Sequence, residues 1–317
     1  MSPVTMQSPF PRRLLAWFNE RFPFEHGILF FTLYATAVLV GRYATSAGAL
    51  DVGVKELLGF LPVWCFFLML RVFDEHKDFE SDCHNYPERV LQSGKISLGH
   101  LKVVGALAIV TQLVGSILLD GGFGAVTIWW LGVFAYSLLM AREFFVGEWL
   151  SKRLVLYATS HMLVMTLAML WMAQIGAGSA ALPWQAGLLG GLAFLCGGAF
   201  EVARKIRAPE EERDEVDSYT KSFGTGGAPI VVGGLLTVSI VVLGGLVVWI
   251  TDGTPSPAWF AVLMAILVVP LITLQKFRRH PTPKGRKVNE GLVSMAMLAS
   301  YLVVIAAIVT TRGIGWG

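Results

Sequence analysis

The sequence predicts an all-α polytopic bundle of about nine membrane-spanning helices. Three observations carry this expectation. The mean hydropathy is +0.63 with 15% charged residues, against about 25% charged in an ordinary soluble domain. Nine stretches are long and apolar enough to approach the roughly 20 residues that a span requires. The basic residues also alternate between the connections in the way a membrane protein demands.

The elements follow in chain order. Residues 1–26 form a polar leader without a long apolar run, so no cleavable signal is expected. Within it, the segment from Arg12 to Phe22 reads equally as a short amphipathic helix at the interface or as ordinary leader. The spans then lie near 27–47, 56–73, 98–119, 123–141, 154–175, 182–202, 227–250, 257–275 and 289–311, within a membrane domain of 27–311. Pro62 and Pro270 fall inside two of them, which membrane helices tolerate because neighbouring helices satisfy the freed backbone groups. Residues 312–317 are a short tail. Cys65, Cys83 and Cys196 lack metal-ligand spacing and imply no disulfide framework.

Charge orients the chain. The segments 1–26, 71–102, 142–153, 204–225 and 276–288 share one side and hold three, five, three, five and six basic residues. The opposite side holds only Arg42, Lys55 and Arg312 of the 25 Lys and Arg. The positive-inside rule then places the N-terminus in the cytoplasm of a cell (inner) membrane and the C-terminus across it. The net charge of +3 gives no sign of a nucleic-acid partner.

The connection after the second span carries the chemistry. Asp74, Asp78 and Asp82 recur every four residues, with Glu75 beside them. On a helix they form one stripe. Like charges at that spacing, at the negative end of a helix, are mutually unfavourable. A divalent cation removes the penalty, and Mg²⁺ is typically held by one or two carboxylates, waters and substrate phosphates. Asn85 offers another oxygen, and Arg89 a guanidinium suited to phosphate. The competing reading is a solvated acidic loop.

This stretch, Asp74-Glu75-x-x-Asp78-x-x-x-Asp82 followed by Asn85 and Arg89-Val90-Leu91-x-x-Gly94, resembles the first motif of the UbiA superfamily of membrane prenyltransferases. That motif reads Asn-Asp-x-x-Asp-x-x-x-Asp, then Asn and Arg-Pro-Leu-x-x-Gly. Asp74-Glu75 replaces Asn-Asp, and Val90 replaces Pro. The resemblance implies a nine-span bundle with two acidic motifs on the cytoplasmic face, Mg²⁺ as cofactor, and an isoprenoid diphosphate and a lipophilic or aromatic acceptor as partners alongside membrane lipid. It implies metal ligation by Asp74, Glu75, Asp78 and Asp82, with Asp78 and Asp82 essential to catalysis.

The second motif is expected in the connection after the sixth span. That loop runs through Glu201, Arg204, Lys205, Arg207, Asp214, Asp217, Tyr219, Thr220, Lys221 and Gly224. The Thr220 to Gly224 ending matches, but Arg204 and Lys205 stand where a further Asp is expected. Glu201, Asp214 and Asp217 are the candidate metal ligands. Arg204, Lys205, Arg207 and Lys221 are candidate diphosphate ligands, and Tyr219 is a candidate catalytic residue. A mixed-charge loop with local ion pairs is the alternative. Lys152 and Arg153, with Tyr136 and Arg142 in the same region, resemble the family's Tyr and Lys-Arg pair, or are ordinary positive-inside charge. The basic loop 276–287 needs only anionic lipid to explain it.

The expected function is therefore Mg²⁺-dependent prenyl transfer at the cytoplasmic face. A catalytically silent scaffold and a cation transporter using the same acids are the rivals. Transport sites use ionisable groups near the midplane, and the predicted span centres here are almost bare of charge.

Overall fold

A computed structural model describes residues 4–46, 48–213 and 217–316. The chain begins with α1 (Phe10–Arg21), then α2 (His26–Thr45), the short strand β1 (Leu50–Val52) and α3 (Val54–Leu58). Next come α4 (Phe60–Lys77), α5 (Phe79–Asn85), α6 (Leu98–Asp120), α7 (Ala125–Ala141) and α8 (Gly147–Ser151). The second half holds α9 (Leu154–Ala177), α10 (Ala186–Arg204), α11 (Tyr219–Ile250), α12 (Pro257–Arg279), α13 (Pro283–Arg312) and β2 (Ile314–Trp316).

Local chemistry sets several boundaries. The Ser97 hydroxyl accepts from the His100 N–H at the start of α6, and left-handed Gly121 ends it. Ser218 and Thr282 cap α11 and α13 in the same way, with Pro283 opening the first turn of α13. Among the described residues, eight helices are long and apolar enough to span, with α3 and α4 counted together as Val54–Lys77. The ninth apolar helix, α7, has 17 residues, about 26 Å at 1.5 Å per residue, slightly short of a ~30 Å hydrocarbon layer. Four helices extend at least four residues beyond an expected end: α4 runs to Lys77 and α12 to Arg279, while α11 and α13 begin at Tyr219 and Pro283. Helical hydrogen bonding continues past the apolar run into polar sequence, which hydropathy does not register.

The spans pack as a closed ring in the order α2, α4, α6, α7, α9, α10, α11, α12, α13 and back to α2, and α9 also packs along α2. The α2–α9 contact is backbone on backbone. A Cβ on Gly41 would collide with the Ala173 carbonyl, and one on Gly176 with the Val38 carbonyl. Without a hydrophobic force between helices in lipid, such small-residue contacts drive association. Gly176→Leu is expected to cost at least the ~1–3 kcal/mol of an overpacked core, read as a fall in the thermal midpoint of the purified protein.

Polar contacts separate the two ends of the ring. At one end Lys77 meets Tyr157 and Glu143, Arg286 meets Glu211, and Arg278 donates to the Gly226 carbonyl. At the other, Arg42 pairs with Glu56, Arg312 lies 3.9 Å from Asp252, and the Tyr43 hydroxyl donates to the Trp249 carbonyl at 3.1 Å. There β1 and β2 pair in parallel, Leu50 opposite Ile314 and Val52 opposite Trp316. The tail is therefore tied to the connection after the first span. Cys65 and Cys196 are buried and unbridged.

Candidate functional site

The acidic stripe lies where α4 passes into α5. The Asp78 N–H donates to the Asp74 carbonyl at 2.9 Å, and Asp82 N–H to the Asp78 carbonyl at 2.8 Å. These two bonds join α4 to α5 across a bend at Asp78. The side chains of Asp74 and Asp78 are 47% and 50% exposed. Their nearest cations, Arg71 and Lys77, stand 3.9 Å away. Burial of its surroundings pushes the Asp78 carboxyl above the ordinary range; Lys77 opposes this, and Asp82 and Glu143 add to it. An extra cation is the natural relief for such a group.

The neighbouring acids behave differently from the expectation. Glu75 is fully buried and ion-paired with Arg21 of α1, and its second oxygen has no partner. It faces about 100° away from Asp74 around the helix and anchors α1 through Arg21. Asp82 accepts from Arg89 at 2.8 Å and has Arg21 at 3.6 Å, leaving it 13% exposed. Arg89 also stacks on the Tyr86 ring, 3.6 Å from its centroid. Asn85 donates to the Ser81 carbonyl of its own turn.

Helix α1 is built into this site. Trp17 is fully buried, the Glu20 carboxylate accepts from the Val90 N–H at 3.2 Å, and Arg13 donates to the Lys95 carbonyl at 2.7 Å. The leader thus braces both Glu75 and the 89–95 loop. No sequence signal for these partners exists beyond the amphipathic pattern, because the contacts bridge 54 to 82 residues.

A second group escaped the sequence reading. Lys77 donates to the Tyr157 hydroxyl at 2.8 Å and lies 3.8 Å from Glu143. The His161 ring stacks on Tyr157 at 4.0 Å. Glu143, Phe144 and Phe145 follow α7 with φ of 48°, 54° and 60°, a left-handed run that is costly for residues with side chains. The run carries Glu143 back toward Lys77 and sets Phe144 against Tyr136 and His161. Beside Lys77, a crevice of about 810 Å³ opens between α4 and α7, lined by Phe73, Ala135, Leu138 and Leu139 with Arg142 at its rim. Phe66 and Phe67 are core residues instead, packed on Trp171 and Phe30.

The second loop is present but neutralised. Glu201 at the end of α10 is clamped by Arg204 and by Lys205 at 2.7 Å. Both cations are engaged with this one carboxylate. Arg207 donates to the Arg204 and Ile206 carbonyls. Lys221 donates to the Arg213 carbonyl. Asp217 is exposed, and Asp214 lies outside the described residues. The Thr220 hydroxyl donates to Glu212, which also accepts from Ser218, and Gly224 breaks α11 at φ 75°. Tyr219 is buried with its hydroxyl unpartnered and its ring parallel to Phe223. A polar basin of about 580 Å³ joins Tyr86 of the first loop to Arg204, Arg207, Glu211 and Arg286. The two loops therefore share one mouth.

The third patch does not reach that mouth. Lys152 is exposed, and Arg153 stacks on Trp149 and donates to its carbonyl. Both stand exposed in the connection from α8 to α9. Tyr136 donates to the Ser160 carbonyl at 2.7 Å.

Among the described residues no three His, Cys, Asp or Glu side chains converge into a ready cation cage. Mg²⁺ does not require one, since waters and phosphates complete its shell around one or two carboxylates. Asp74 and Asp78, adjacent, half-exposed and only distantly paired, fit that description. Glu201 does not.

No protein-family model matches the chain, and no curated protein does. Solved structures do. A digeranylgeranylglyceryl phosphate synthase is 16% identical and superposes with a TM-score of 0.67, covering 94% of this chain and 99% of that one. A UbiA homolog from Aeropyrum pernix K1 gives 14% and 0.62, covering 90% and 98%. A UbiA homolog from Archaeoglobus fulgidus bound to GPP and Mg²⁺ gives 14% and 0.55, covering 92% and 99%. Along more than nine-tenths of its length, this polytopic chain has the fold of the UbiA superfamily.

Proposed function

We propose that the protein is a prenyltransferase that moves an isoprenoid group from its diphosphate to a lipophilic or aromatic acceptor. The observation that carries this reading is the pair Asp74–Asp78, held open at the polar mouth of the ring with Lys77 beside it. The Archaeoglobus fulgidus homolog with the same fold holds GPP and Mg²⁺. Asp74 and Asp78 would hold Mg²⁺ here. The ion would supply charge stabilisation to the leaving diphosphate.

The chain's own residues account for the rest. Lys77 is placed to meet a diphosphate oxygen, while its bond to Tyr157 fixes its direction. Arg89 orders Asp82 and the mouth. The crevice beside Lys77 lies in the size range of ligand sites, about 300–1,000 Å³, and its apolar wall suits an isoprenoid chain. Transfer breaks the allylic C–O bond, the electron pair leaving with diphosphate. The acceptor's nucleophile then forms the new bond and sheds a proton. The basic-residue asymmetry supports a mouth on the cytoplasmic side of the membrane.

The neutralised Glu201 favours a second reading, a silent scaffold. One assay decides between them. Purified protein is incubated with geranylgeranyl diphosphate and Mg²⁺, with and without a panel of hydroxybenzoate, quinol and glycerolipid acceptors. Acceptor-dependent diphosphate release that stops with EDTA supports transfer. Donor binding without release under every acceptor supports the scaffold.

A further inference from the structure

The face opposite the acidic mouth is poor in cations. Only Arg42, Lys55 and Arg312 lie there. Arg42 is spent on buried Glu56, and Arg312 reaches Asp252 and stacks over Tyr43. Lys55 is exposed and pairs with no acid among the described residues. It stands at the rim of a crevice of about 700 Å³ between α3–α4 and α6.

The crevice has a definite shape. Its wall along α6 runs from Leu119 through Gly115 and Val114 to Val110, about 14 Å at 1.5 Å per residue. Its other wall is Leu58, Gly59, Leu61 and Pro62. Gly115 has no room for a side chain against Pro62, nor Gly59 against the Tyr34 hydroxyl. The helices thus meet tightly at the floor, and the groove above stays open. Leu58, Leu61, Val110 and Leu118 are all more than half exposed along it. An unpaired ammonium at the rim of an apolar slot complements one kind of molecule, an anionic head group carrying a hydrocarbon chain.

We propose that this crevice binds one anionic phospholipid of the facing leaflet, its phosphate on Lys55 and an acyl chain along Val110–Leu119. The site is separate from the acidic mouth and independent of any transfer chemistry there. Its position at the α4–α6 contact makes the lipid a brace for the helix that carries the acidic stripe.

The test uses the full chain in phosphatidylcholine vesicles doped with photoreactive lipid bearing a mid-chain diazirine. Crosslinks are mapped by peptide mass spectrometry. The phosphatidylglycerol probe should label residues 110–119 at least fivefold more than the phosphatidylcholine probe. Lys55→Gln should remove that difference while leaving labelling at the basic face unchanged. Val114→Trp, which fills the slot from an exposed position, should lower labelling by both probes. Equal labelling by the two probes, or an unchanged preference in Lys55→Gln, overturns the proposal. So does competition by free glycerol phosphate at millimolar concentration, because the head group alone would then suffice.

Discussion

Asp78→Ala abolishes diphosphate release, with a loss of about 10²–10³-fold or more, while the thermal midpoint without metal stays level or rises. The rate effect follows from position. Asp78 is one of two half-exposed carboxylates at the mouth and the one nearest Lys77 and Glu143. Removing a single group that stabilises developing charge in a water-poor site commonly costs that much. The stability effect has the opposite sign because the Asp78 carboxyl is held above its ordinary range by burial and by neighbouring acids. Its charge opposes the fold at neutral pH, so deleting it relieves repulsion. Release and unfolding measured on the same preparation separate the two. Full activity in the Asp78→Ala, Asp82→Ala double variant removes the proposed mechanism.

Arg21→Ala has the largest expected effect on stability. Its guanidinium is the partner of Glu75, whose carboxylate is fully buried and whose other oxygen already lacks a partner. Breaking a buried pair from one side strands a charge, at a cost of about 3–5 kcal/mol. Helix α1 should come away from the 89–95 loop, and Asp82 should keep only Arg89. Hydrogen exchange would report this as lost protection in α1 and at Val90, whose N–H is bonded to Glu20. The Arg21→Ala, Glu75→Gln double variant should recover a large part of the stability. Failure to recover any would show that Arg21 acts through Asp82 instead. Arg21→Lys should restore little, because a compact ammonium cannot reach Glu75 and Asp82 together.

The stripe was legible because a four-residue repeat of acids survives the passage from α4 to α5. The bonds from Asp78 to Asp74 and from Asp82 to Asp78 carry that spacing across the bend at Asp78. The partner of Glu75 was not legible. Adjacency in sequence turns a side chain by 100°, and its partner sits on another helix 54 residues away. Gly224 was read at the right place, and its positive φ explains why that position takes glycine. The left-handed run at Glu143–Phe145 had no comparable signal. It contains no Gly, Asn or Asp, and tertiary contacts to Tyr136, His161 and Lys77 hold it. The basic start of the second loop was visible, but its consequence was not. Arg204 and Lys205 turn back on Glu201 within one helical turn, so they cancel an acid before they can meet a ligand. Eight of the nine expected spans are helices long and apolar enough to cross, among the described residues, whereas their polar extensions required hydrogen bonds that hydropathy ignores.

The parallel pairing of β1 with β2 orders events during biosynthesis. Leu50–Val52 leave the ribosome well before their partners Ile314–Trp316. At about 5–20 residues per second, the ~260 residues between them take on the order of 10–50 s to synthesise. During that interval the first spans stand in the bilayer with an unpaired strand edge, a surface prone to wrong partners. Closure of the ring on that face thus waits until residues 314–316 have been made.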